Sequence, residues 1–147
     1  KKLIEIGLSE IPANCRLAAA IRHTLLWCDE HDHWQQTWDQ INEHYGHYAD
    51  VHTINNALLV VMGLMHGKGD FEQTIVTTVL GGWDADCKTA SAGSVIGLVL
   101  GAKALQHKWI GVFNDEIKSA VRGEQHNRIS ALAQRTHAVA ATVLAND

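Results

Sequence analysis

Apolar residues recur along this chain at the period of a helix, and almost nowhere at the period of a strand. Leu3, Ile4, Ile6 and Leu8 form a short apolar lead-in. Leu17, Ala20, Ile21, Thr24, Leu25 and Cys28 fall on one stripe of a helix predicted from near Pro12, where a first-turn proline is tolerated, to about Asp29. Trp34, Trp38, Ile41 and Tyr45 mark a second helix that stops at Gly46. Asn55 to His66 is a strongly apolar third. "GKGD" is then a turn, with Asp70 as N-cap and Gln73 placed for a capping box ahead of a helix over Phe71 to Leu80. After Gly81-Gly82, the Asp84 segment leads into a long helix reaching about Leu105. A shorter helix is expected over Trp109 to Val121, then a polar loop "RGEQHNR", then a last helix capped by Ser130. The sum is about seven helices and no convincing strand. The expected fold class is all-α, one compact multi-helix domain over residues 1–147.

Composition narrows the function. A chain of 147 residues is long enough to bury roughly two thirds of its unfolded surface. With 46% hydrophobic and 19% charged residues it is not a disordered chain. A net charge of -4 without a basic stripe excludes a nucleic-acid backbone as the expected partner. Cys15, Cys28 and Cys87 are too far apart for a CxxC pair and odd in number, which fits a reducing, cytoplasmic setting better than a disulfide framework. The longest uncharged run, Thr89 to Ala102, is short of the roughly 20 residues a membrane helix needs, so no membrane is expected as a partner. The opening "KKLIEIGLSEIP" has no initiator Met and an apolar pattern already under way, which reads as a piece of a longer polypeptide.

Three constellations carry possible chemistry. Gly93, Gly97 and Gly101, four apart, line up one side-chain-free face and predict close backbone packing there. Asp84 and Asp86 stand at the mouth of the same helix. Inside a regular helix, residues two apart point about 200° from each other, but with Asp84 still in the loop the two carboxylates can converge. They either cap the helix, whose positive end favours carboxylates, or hold a hard divalent cation. Neighbouring negative charge makes Cys87 a poor thiolate candidate. "VHTINNAL" places His52, Thr53, Asn55 and Asn56 at the entrance to the apolar helix, as caps or as the polar rim of a pocket. Among ten histidines, His44 and His47 are three apart and able to touch one zinc ion, with no cysteine or acidic pair nearby to complete the set.

The run "VHTINNALLVVMGLMHGKGDFEQTIVTTVLGGWDADCKTASAGSVIGLVLGA" resembles the C-terminal half of the ADP-ribosylglycohydrolase family. There an apolar helix is followed by a Gly-Asp-Phe turn, a further helix, and Gly-x-Asp-x-Asp opening a glycine-rich helix. "LSEIPANCRLAAAIR" and "ISALAQRTHAVA" are similar to a bacterial branch that carries a cysteine after its second aspartate. The resemblance implies an all-α fold, and a binuclear Mg²⁺ (sometimes Mn²⁺) centre in the full-length protein. It implies hydrolysis of an N- or O-glycosidic bond joining ADP-ribose to a protein or small-molecule acceptor. It maps part of the metal shell onto Asp84 and Asp86. The family's remaining ligands lie in an N-terminal Thr/Ser-Asp-Asp motif, and no Asp-Asp pair occurs in this chain.

The chain departs from the family pattern at Cys87, where a Ser/Thr ligand is usual, and at Lys88, which would bring a positive charge near the metals. The expectation is a C-terminal portion that is inactive alone and prone to self-association through bared apolar surface. His52, Thr53 and Asn55 are the candidate substrate-binding residues. No residue is assigned as general base. The competing expectation is a degenerate, non-catalytic member that binds ADP-ribose or a nucleotide, or serves as a helical interaction domain.

Overall fold

The computed structural model describes residues 1–145, and the fold class is all-α. The chain forms two compact units, Lys1–Lys103 and Ala104–Asp147. In the first, six helices follow one another: α1 (Lys2–Ser9), α2 (Arg16–Glu30), α3 (Trp34–Tyr45), α4 (Thr53–His66), α5 (Phe71–Leu80) and α6 (Ala85–Leu100). The centre is α4, the most apolar of them, which packs against α2, α3, α5 and α6. Ala20, Ile41, Ile54, Leu58, Leu59 and Met62 form the buried core, with Trp27, Trp34, Trp38 and Trp83 packed around it. Each large aliphatic side chain in it contributes about 1.5–3 kcal/mol.

The local signals decide most boundaries. Asp70 caps α5, its carboxylate accepting the Gln73 N–H at 2.7 Å. The reciprocal half of a capping box is not made, because the Asp70 N–H donates to the Gly67 carbonyl instead. α3 ends at Gly46 as its sequence requires. The apolar lead-in is itself helical, as α1. The next helix starts four residues after Pro12: the Cys15 N–H closes a turn onto the Pro12 carbonyl, and the Cys15 sulfur, at the N-cap, accepts the Ala18 N–H at 3.4 Å.

The expected glycine packing is relocated. A Cβ on Gly97 would meet nothing within 4 Å, and one on Gly93 only the end of Ile75. The close approach lies between α4 and α5. There a Cβ on Gly63 would fall 1.8 Å from Thr78 Oγ1, and one on Gly67 2.1 Å from Thr74 Oγ1. α6 stops at Leu100, short of Leu105, because Gly101 takes φ +77°, a left-handed conformation that ends the helix.

The second unit departs furthest from the periodicity. In place of a helix over Trp109 to Val121 there is a four-residue helix, α7 (His107–Ile110), a 3₁₀ turn (Gly111–Phe113), and a hairpin of β1 (Glu116–Lys118) with β2 (His126–Arg128). Asn114 and Asp115 are both left-handed, at φ +48° and +61°, which breaks the helix. The last helix, α8 (Ile129–Leu144), is not capped by Ser130. Asp115 reaches it from the hairpin and accepts the Ser130 N–H and hydroxyl at 2.7 and 2.6 Å and Arg128 Nε at 2.9 Å. These donors hold its carboxyl below the usual range. Among the described residues there are thus eight α-helices and one short two-stranded sheet.

Candidate metal centre

The link between α5 and α6 builds the site. Gly82 and Trp83 are successive left-handed residues, at φ +75° and +52°. Glycine adopts this freely, whereas a bulky residue there costs on the order of 1 kcal/mol. Trp83 is held by packing on the core and by the Trp38 ring, 6.4 Å away between centroids. Trp38 Nε1 also donates to the Gly81 carbonyl at 2.9 Å. The reversal delivers Asp84 to the N-cap of α6 with φ -77° and ψ 70°.

Asp84 occupies the capping position and does not cap. No helix N–H donates to its carboxylate. Its backbone is fixed instead: its N–H donates to Asn56 Oδ1 at 3.1 Å, and its carbonyl accepts the Lys88 N–H at 3.2 Å. The carboxylate lies beside Asp86 and Cys87 in the first turn of α6. One ligand atom from each of the three lies within 4.8 Å of the others. The neighbouring carboxylate of Asp84, and after it that of Asp86, pushes the pKa of the Cys87 thiol up. Among the described residues this is the one such group of three histidine, cysteine or acidic side chains. His44 and His47 are not part of one. The His44 ring lies on Trp27, 5.1 Å between centroids, and the His47 ring on Tyr48 at 4.3 Å.

Lys88 is 2% exposed, and its amine does not sit among the carboxylates. It donates to the carbonyl of Thr78. Thr78 lies in the last turn of α5, where carbonyls lack an intrahelical donor. Lys88 therefore caps α5 at the negative end of its dipole. Burial pulls its pKa down to about 8, against a weaker attraction from Asp84.

Asp84 and Cys87 stand at the wall of a cleft of about 540 Å³ formed by α1, α2, α4 and α6 and lined mainly by apolar side chains such as Ile4, Leu8, Ile21, Val60 and Leu64. The three candidate substrate residues separate here. Thr53 lines the cleft. His52 caps α4, its Nδ1 accepting the Ile54 N–H at 3.1 Å, and its ring stacks on Tyr48 at 4.2 Å. Asn55 is fully buried and donates to the Ala49 carbonyl at 3.2 Å. The residue that reaches the site is Asn56, which also donates to the carbonyls of Asp50 and His52 at 2.6 and 2.9 Å. A signal for it lay in the spacing: Asn56 is three residues from Thr53 and shares its helix face, whereas Asn55 is two away and does not.

A family model described as ADP-ribosylglycohydrolase matches residues 1–144. The chain belongs to the ADP-ribosylglycohydrolase family. No curated protein and no solved structure matches it. Function at the level of the family is therefore that of a glycohydrolase, in a family that is generally metal-dependent. Two carboxylates with oxygens within 4.8 Å of each other at a helix start fit a divalent cation. The third donor, a thiol, departs from the all-oxygen shell that Mg²⁺ prefers. Among the described residues no helix is long and apolar enough to cross a membrane.

Proposed function

We propose that this chain is the C-terminal portion of an ADP-ribosylglycohydrolase that hydrolyses an N- or O-glycosidic bond between ADP-ribose and a protein or small-molecule acceptor. The carrying observation is the Asp84 carboxylate, which accepts no capping hydrogen bond from its helix, lies close to that of Asp86 and stands at the wall of a cleft. Asp84 and Asp86 supply carboxylate oxygens to a centre of Mg²⁺ or Mn²⁺, binuclear in the full-length protein. The cation, when bound, acts as a Lewis acid that orients oxygen groups and stabilises charge at the reacting sugar. The chain's own residues do the positioning. Asn56 fixes the backbone of Asp84, and Thr53 stands among the apolar side chains that line the cleft. Asn55 and His52 hold the start of α4 in place.

The opposing Asp-Asp ligands that the family resemblance calls for do not occur in this sequence, so the chain alone is expected to be inactive. The test is release of ADP-ribose from an ADP-ribosylated acceptor. A longer polypeptide containing this chain should release it, chelator should stop it, and the 147-residue chain should release none. Turnover by the chain alone, or turnover indifferent to chelator, contradicts the reading. A second reading, a member that binds ADP-ribose without cleaving it, is favoured by the thiol in place of a third oxygen donor. Binding of ADP-ribose by the longer polypeptide without turnover supports it.

A further inference from the structure

A second pocket lies at the end of α4 opposite Asp84. It holds about 270 Å³ and is lined by His33, His66, Lys68, Gln73 and Thr77, with the exposed Asp32 as the acid in its lining. Thr53 is the first residue of α4 and His66 the last, so about 20 Å of helix separates this pocket from the cleft. The two share no lining residue. We propose that this pocket binds a tetrahedral oxyanion, a phosphoryl or sulfate group, through Lys68, His33, His66 and the hydroxyl of Thr77.

Thr77 carries the argument. On the same helix, Thr74 and Thr78 each donate to the carbonyl four residues earlier, at 2.7 Å. Thr77 is 7% exposed and makes no such bond, and its hydroxyl has no hydrogen-bond partner among the described residues. The oxygen is not one of the fully enclosed unpaired atoms, so the little surface Thr77 keeps includes it, and that surface is on the pocket. A nearly buried hydroxyl left unpaired costs stability, and a ligand in the pocket satisfies it.

The surroundings select an anion. The charges that act on the His66 ring are all cationic, Lys68 first and then His31 and His33, and the Asp32 carboxylate is not among them. Cations gathered in this way repel one another, and an anion between them removes the repulsion. His66 Nε2 is taken by Thr37 Oγ1 at 2.9 Å, which leaves Nδ1 for a ligand. His33 and Trp34 open α3 on the pocket wall, and no side chain caps that helix, so its positive end adds to the attraction. These histidines belong to no metal-ligating group. The volume falls below the roughly 300–1,000 Å³ of sites for drug-sized ligands and suits a small ion or a single group.

The test is calorimetric and NMR titration of the 147-residue chain with sulfate, which keeps its charge across the pH range used. One sulfate should bind per chain, moving the imidazole signals of His33 and His66 and leaving those of His44 and His47 in place. Affinity should be at least about fivefold higher at about pH 6 than at about pH 8, because histidines gain their charge between the two. Lys68→Ala should weaken binding by about tenfold, and Thr77→Val, which removes only an unpaired hydroxyl and leaves the fold intact, by about fivefold. Lys118→Ala, a charge removed from the hairpin, should change nothing. Inorganic phosphate beside phosphoserine separates the sources. Tighter phosphoserine binding supports a phosphoryl group carried on a larger molecule, and tighter phosphate binding supports the free ion. Binding that does not saturate, or that Lys68→Ala and Thr77→Val leave unchanged, overturns the proposal.

Discussion

Asn56 shows how a single buried amide can connect the core to the chemistry. It is 8% exposed and makes three hydrogen bonds that tie the Asp50–His52 loop to the backbone of Asp84. Asn56→Ala should lose about 2–3 kcal/mol in chemical denaturation, because buried groups are left unpaired. It should also weaken divalent-ion binding by about tenfold or more, as loss of a group that orients a ligand does. Asn55→Ala, at a neighbour just as buried, should destabilise while leaving ion affinity within about twofold. Equal effects of the two on ion binding would show that Asn56 has no special link to the site. His66 gives a pH dependence. It shares a 2.9 Å hydrogen bond with Thr37 Oγ1, and burial, then Lys68, His31 and His33, lower its pKa. A histidine with a lowered folded value favours the folded state above its unfolded pKa, near 6.5, and that contribution is lost as pH falls through the lower value. Denaturation midpoints should fall on acidification below about pH 6.5, and less steeply in His66→Gln. Identical slopes would show that His66 does not carry the acid sensitivity.

At the scale of elements, the packing of α4 on α5 makes the sharpest forecast. Gly63→Ala forces a methyl into Thr78, with the Thr78 Cβ 3.0 Å and the Thr74 carbonyl 3.3 Å away. It should cost on the order of 1–3 kcal/mol. Gly97→Ala meets open space inside α6 and should stabilise by about 0.5–1 kcal/mol. The reverse ranking in urea denaturation would contradict the helix packing. This is also where the sequence misled. Gly93, Gly97 and Gly101 in register read as a contact face, but glycine spacing marks where a backbone is able to approach, not whether one does. The helices α3, α4 and α5 were legible because an apolar period ends on a glycine at each, and α5 carries its Asp70 cap as well. The hairpin was not, since its strands are three residues long, too short for alternation to register, and the left-handed Asn114 and Asp115 that set it up carry no apolar pattern. The Asp84 reversal was half legible. Gly81-Gly82 announced a turn, but nothing in the residues announced that Trp83 would take a left-handed conformation and carry Asp84 past its capping geometry.

For the whole molecule, the fully buried core and the candidate metal centre both belong to the unit Lys1–Lys103. The central helix α4 lends its apolar side chains to that core, Thr53 to the cleft and Asn56 to the start of α6. Fold and site are thus one construction: what orders the helices also aims Asp84. The all-α architecture follows from the sequence period, and the pairing of Asp84 with Asp86 from their place in a run of family-like motifs. The most direct test is calorimetric titration of a divalent cation into the 147-residue chain beside Asp84→Ala and Asp86→Ala. One binding event is expected in the wild-type chain, abolished by each substitution. Binding that is the same in all three proteins would contradict it.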